Sequence, residues 1–99
     1  MEKYEVRDIL RNLKRLVKLD RYTLVYRMGR KIPVSKSMLK SLVAKLTISE
    51  FKKRELDRDG SGDFVYVFII KNEVENFYIK FKFINENKVE LVKFISFHP

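Results

Sequence analysis

From Glu5 to Leu19 the apolar residues fall at Val6, Ile9, Leu10, Leu13, Leu16 and Val17. Steps of three and four place them on one face of a helix, the face that must find a core. Arg7, Arg11, Lys14, Arg15 and Lys18 occupy the opposite face. Asp20-Arg21 breaks the pattern, and Tyr22 to Tyr26 is short and β-prone. Met28 to Pro33 reads as a basic loop turning at Gly29, with Arg27, Arg30 and Lys31 close together. Ser35 can open a second helix, because its hydroxyl accepts a backbone N–H that the helix start leaves unpaired. That helix buries Met38, Leu39, Leu42, Val43 and Leu46, and Thr47 to Glu50 ends it and turns the chain.

Beyond Phe51 the helical spacing gives way to β patterns. Phe51 to Arg58 is a charged strand suited to a sheet edge, where Lys and Arg discourage edge-to-edge pairing. Asp59-Gly60-Ser61-Gly62 is the strongest turn signal in the chain. Phe64 to Ile70 is nearly all apolar, as expected of a central strand covered on both faces. After a turn over Lys71 to Asn76, Phe77, Ile79, Phe81 and Phe83 alternate with Tyr78, Lys80 and Lys82, giving one core face and one polar face. Asn85 to Asn87 turns again, and Val89 to Phe97 is the last strand. The expectation is one α+β domain over residues 1–99: two N-terminal helices packed on a three- to four-stranded antiparallel sheet.

Composition sharpens this. With 45% hydrophobic residues, eight Phe and five Tyr, the chain has ample material for a core. No run of 18 apolar residues is present, so no membrane span is expected. The N-terminus is charged from residue 2 and lacks an apolar core segment, so no secretory signal is expected. The absence of cysteine excludes disulfides and thiolate metal sites and fits a cytoplasmic location. Net charge is +9, and it is lopsided: residues 1–58 hold 17 Lys/Arg and 7 Asp/Glu, residues 59–99 hold 5 and 6. A phosphate backbone is the commonest partner for such a field, since its neutralisation releases counterions. An acidic protein is the main competitor, and a solvated lysine-rich surface is the bland alternative.

Several chemistries can be set aside. Asp57-Arg58-Asp59-Gly60-Ser61-Gly62 resembles the opening of a helix–loop–helix calcium loop, but the twelfth position, where a bidentate Glu belongs, is Phe68. A hairpin turn is the better reading. One His without Cys cannot make a structural zinc site. No metal and no cofactor is therefore expected. RNA carries its own nucleophile, the 2′-hydroxyl, and can be cut by a base, cations around the phosphorane and an acid for the leaving oxygen. Tyr78, Lys80 and Lys82 share a strand face, and Ser96 and His98 share a face of the last strand. If these two strands pair, both sets can line one surface. Taken singly, Tyr78 also fits a half-buried sheet tyrosine, and His98 a frayed terminal residue.

Four segments in order resemble the MqsR toxins, bacterial ribonucleases held in check by a cognate antitoxin. Leu46-Thr47-Ile48-Ser49-Glu50-Phe51-Lys52-Lys53 is similar to their Leu-x-x-Ser-acid-Phe-x-Lys segment. Val65-Tyr66, Tyr78-Ile79-Lys80-Phe81 and Ile95-Ser96-Phe97-His98 resemble a Val-Tyr pair, a Tyr-hydrophobic-Lys strand and a hydrophobic-Ser-Phe-basic ending. Together they cover about half the chain. The resemblance implies a RelE-like fold and metal-independent cleavage of single-stranded mRNA. It implies catalytic roles for Lys53, Tyr78 and His98. Asp63 stands where the family has a glutamine of the site. Arg7, Arg11, Lys14, Arg15, Lys80 and Lys82 are then the expected RNA-binding cations. The alternative is a basic RNA-binding module without catalysis.

Overall fold

The computed structural model describes residues 3–25, 35–71 and 76–98. The basic loop expected over Met28 to Pro33 lies outside the described residues, as does the middle of the turn after Lys71. The chain runs α1 (Lys3–Lys18), β1 (Tyr22–Leu24), α2 (Lys36–Lys45), a 3-10 turn (Ile48–Glu50), β2 (Phe51–Leu56), β3 (Phe64–Lys71), β4 (Asn76–Glu86) and β5 (Val89–His98). Among the described residues no helix is long and apolar enough to cross a membrane.

The fold is α+β, but its sheet differs from the expected one. Five strands lie in the order β1-β5-β4-β3-β2, and β1 runs parallel to β5 while all other neighbours are antiparallel. A mixed five-stranded sheet replaces the three- to four-stranded antiparallel sheet of the RelE-like expectation. The added strand is β1. Its three residues are too short to show a period, and its pairing with Val92, Lys93 and Phe94 is a tertiary contact. The amide of Val25 donates to Phe94 O and that of Val92 to Arg21 O, both at 3.0 Å.

Local chemistry explains the helix ends. Asp20 has φ +60°, and the amides of Asp20 and Arg21 close back on Val17 O and Leu16 O at 3.0 and 2.8 Å. This is a Schellman closure with Asp in the left-handed position that Gly or Asn usually takes. The Asp20 carboxylate then receives Lys40 and Lys36, which ties the end of α1 to α2 and holds the carboxyl below its usual range. Ser35 Oγ accepts the Met38 amide at 3.1 Å, the expected N-cap. Met38 itself is exposed rather than part of the core, since only Leu39, Val43 and Leu46 of that stretch are fully buried.

Both helices cover one face of the sheet. Val6, Leu10, Leu13, Leu16 and Val17 of α1 and Leu39 and Val43 of α2 meet Phe68, Phe77, Ile79, Phe81, Val92, Phe94 and Phe97. Edge-to-face ring contacts lock the centre, with Phe77–Phe97 centroids 5.1 Å apart and Phe94–Phe97 5.4 Å. The other face carries no helix among the described residues. β3 lies between β4 and β2, an interior strand as expected, but it is covered by an element on one face only. Val65 and Val67 of β3 are nevertheless buried on the open side. Their register neighbours explain this: Val67 sits between Lys53 and Lys80, and Val65 beside Glu55, whose long stems shield apolar surface. The β4–β5 hairpin turns through Asn87 and Lys88, both with positive φ, and Asn85 and Glu86, expected in the turn, are still paired in β4.

Candidate functional site

Two β-bulges decide which side chains reach the open face. On β2 the register jumps between Phe51, opposite Phe68, and Lys53, opposite Val67. Strict alternation would keep Phe51, Lys53 and Glu55 on one face. With Lys52 as the extra residue, Phe51 packs edge-to-face on Phe68 in the core, and Lys53 and Glu55 swing to the open side. On β5 the jump falls at Ile95: Phe94 pairs with Phe81, then Ser96 with Lys80 and His98 with Tyr78. Phe94 and Phe97, three residues apart, therefore both enter the core, and Ser96 and His98 join the polar face of β4.

The result is a shallow depression of about 640 Å³ on the open face, lined among others by Lys53, Glu55, Tyr78, Lys80, Ser96 and His98 over a floor of Val67 and Ile69. Tyr78 and His98 lie side by side, ring centroids 5.9 Å apart and planes 34° off parallel. Tyr78 is 39% exposed. Lys52 and Lys71 also line it, so cations outnumber the one carboxylate. That carboxylate, Glu55, accepts from both lysines: Oε1 lies 3.1 Å from Lys80 Nζ and Oε2 lies 3.2 Å from Lys53 Nζ. The bonds from Lys80 and Lys53 hold its carboxyl below the usual range. Sequence reasoning missed Glu55. Its signal was present, two residues after Lys53 on a strand, but the face was legible only with the bulge.

Lys82 does not join this surface. It is 4% exposed, and its Nζ is clasped by Asp57, Asp59 and Asp63 carboxylate oxygens at 2.7, 3.0 and 3.1 Å. The expected RNA-binding cation is an internal ion-pair partner. Asp63, the expected counterpart of the family's glutamine, belongs to the same clasp and not to the depression around Tyr78 and His98. The 57–63 loop that resembled a calcium site is a hairpin connection, as expected. The amide of Asp59 donates to Asp57 Oδ1, that of Ser61 to Asp59 Oδ1, and that of Asp63 to Ser61 Oγ, at 3.2, 2.9 and 3.2 Å. Gly60 and Gly62, both at φ +81°, make the chain of turns possible. The ammonium of Lys82 occupies the centre between the three carboxylates.

The helix cations lie elsewhere. α1 packs on the opposite side of the sheet from Tyr78 and Lys80. Arg7 and Arg11 are exposed there, and Arg11 faces Asp8 at 3.7 Å. Arg15 bonds Glu90 and Asn12, and Lys14 donates to Ala44 O at 3.1 Å, capping a carbonyl near the end of α2. Of the expected site residues, Lys53, Tyr78, Lys80 and His98 are thus brought together. Arg7, Arg11, Lys14 and Arg15 form a separate surface, and Lys82 and Asp63 a structural clasp.

The first resembling segment is largely structural in this chain. Leu46 is buried, Glu50 Oε1 accepts the Thr47 amide at 2.7 Å to brace the turn, and Phe51 seats on Phe68. Lys52 and Lys53 are the residues of this segment that line the depression. No protein-family model, no curated protein and no solved structure matches the chain.

Proposed function

We propose that the open sheet face binds single-stranded RNA and cuts it, as an MqsR-type ribonuclease toxin of the cytoplasm would. The observation that carries this reading is the meeting of Tyr78 and His98, flanked by Lys53 and Lys80, from three different strands in one depression. Lys53 and Lys80 would face the phosphate and the charge that builds on it. In the reaction the 2′-oxygen bonds to phosphorus and the bond to the 5′-oxygen breaks. One proton leaves the 2′-hydroxyl and one reaches the 5′-oxygen, and His98 is the side chain assigned to proton exchange. Tyr78 offers a ring for a splayed base and a hydroxyl for the phosphate. The products are a 2′,3′-cyclic phosphate and a 5′-hydroxyl.

The test is incubation of purified protein with single-stranded RNA in excess EDTA, with analysis of the product ends. Cleavage leaving cyclic phosphate is expected. Activity that appears only with added Mg²⁺ or Ca²⁺, or none at all, overturns the reading. The toxin element rests on the resemblance. It predicts that expression arrests growth unless an antitoxin, encoded by a neighbouring small reading frame, is co-expressed.

One observation favours a second reading, an RNA-binding module without catalysis. Glu55 holds Lys53 and Lys80, two of the lysines of the depression, and a carboxylate so placed tunes affinity without any need for chemistry. Turnover separates the two.

A further inference from the structure

Lys53 and Lys80 sit on different strands, β2 and β4, with β3 between them. Their register partner is the same residue, Val67, one on each side. Two ammonium groups converging over a valine would repel each other if nothing lay between them. The Glu55 carboxylate lies there, one oxygen on each nitrogen, at 3.1 and 3.2 Å. This is how two non-bridging oxygens of a phosphodiester would sit: two oxygens on one centre, one negative charge, each paired to a separate ammonium. Glu55 and both lysines are partly in water, so the contacts are exchangeable.

We infer that Lys53 and Lys80 form a phosphodiester subsite, and that the free chain fills it with its own Glu55 carboxylate as an autoinhibitory surrogate that RNA must displace. The inference deepens the RNA-cleaving reading of this face and rests on its RNA-binding part. It has a physical consequence. With Glu55 between them the two lysines present a net charge of one, not two, to an incoming diester. The wild-type chain therefore binds more weakly, and with a shallower salt dependence, than its lysines alone would give. Lys52 and Lys71, which also line the depression, attract the strand, and Glu55 sets the threshold for its entry.

The experiment measures binding of a single-stranded oligoribonucleotide carrying 2′-O-methyl groups throughout, which cannot be cut by its own 2′-oxygen. Wild type, Glu55→Gln and Glu90→Gln are compared over a range of salt. Glu90 lies on β5, bonded to Arg15 and Asn12 of α1, so its variant changes net charge equally on a different surface. Glu55→Gln is expected to tighten binding roughly two- to thirtyfold, the range for releasing two partly exposed pairs. It should also steepen the slope of log K against log salt by about 0.7, the value for one added charge on a single strand. Glu90→Gln should leave both unchanged. On the wild-type chain, the carboxylate carbon resonance of Glu55 should move as the oligonucleotide is added, a readout that needs no variant. Unchanged affinity in Glu55→Gln, an equal gain in Glu90→Gln, or a Glu55 resonance that does not respond would each overturn the inference. Cleavage is scored separately on unmodified RNA. Tighter binding by Glu55→Gln without turnover by the wild type would refute the nuclease and keep the surrogate. Turnover without any Glu55 effect would do the reverse.

Discussion

Replacing Lys82 with methionine removes one charge and keeps most of the buried stem. The Lys82 side chain is 4% exposed and its ammonium is shared by Asp57, Asp59 and Asp63, whose side chains are 17%, 45% and 48% exposed. Stripping one partner from a buried ion pair costs about 3–5 kcal/mol. Here two of the three carboxylates keep contact with water and can turn outward, so the expected loss is about 2–3 kcal/mol, below that range. For a domain of this size that is a fall in Tm of roughly 10–20 °C. The loss should depend on pH. Asp59 is held well below the usual carboxylate range by Ser61, through hydroxyl and amide, and then by Lys82. Lys82 is raised above the usual lysine range by Asp57, then Asp59 and Asp63. A depressed carboxyl stabilises the fold above its unfolded value, about pH 4, and that contribution disappears as pH falls through the folded value. A raised lysine stabilises below its unfolded value, about pH 10, and loses that contribution as pH climbs through the folded one. The gap between wild type and Lys82→Met should therefore be widest between about pH 4 and 10 and narrow on both sides. Urea denaturation at several pH values measures it. A variant within about 0.5 kcal/mol of wild type at pH 7 would refute the clasp as a source of stability.

His98→Gln should slow single-turnover RNA cleavage by roughly 10²–10⁴-fold, flatten the rate profile between about pH 5 and 9, and leave RNA affinity nearly unchanged. Equal rates and superimposable profiles would remove His98 from the mechanism. Tyr78→Ala should weaken binding of the uncleavable oligonucleotide by about 1–3 kcal/mol if its ring stacks on a base; unaltered affinity would take Tyr78 out of the interface. Reversing charge at Arg11 and Lys14 together should leave RNA binding intact, because α1 lies across the sheet from the depression. A marked drop in affinity would move the RNA surface to the helices. Leu16→Ala, at a fully buried position on α1, should cost about 2–5 kcal/mol and lower the urea midpoint without changing the pH dependence.

The hydrophobic period by itself determined both helices and the two faces of β4. Leu13, Leu16, Leu39 and Val43 enter the core as their spacing requires, and Phe77, Ile79 and Phe81 alternate with Tyr78 and Lys80 as a pleat requires. Ser35 and the Asp-Gly-Ser-Gly turn were legible because capping and positive φ are local demands. The rest depended on partners distant in sequence. Alternation alone would set Lys53 with Phe51 and His98 with Phe94 on the buried side. What overrides it is the burial of large rings: Phe51 must reach Phe68, and Phe94 and Phe97 must both reach the core. Each strand meets that demand by bulging one residue, Lys52 or Ile95. Only then do Lys53, Glu55, Ser96 and His98 share a face with Tyr78. Lys82 illustrates the opposite outcome. Its place on the polar face was evident from the strand pattern, but a loop 19 to 25 residues earlier folds three carboxylates onto it, and its charge is used inside the molecule. Periodicity assigns a side chain to a face; long-range pairing and the packing of bulky groups decide what that face meets.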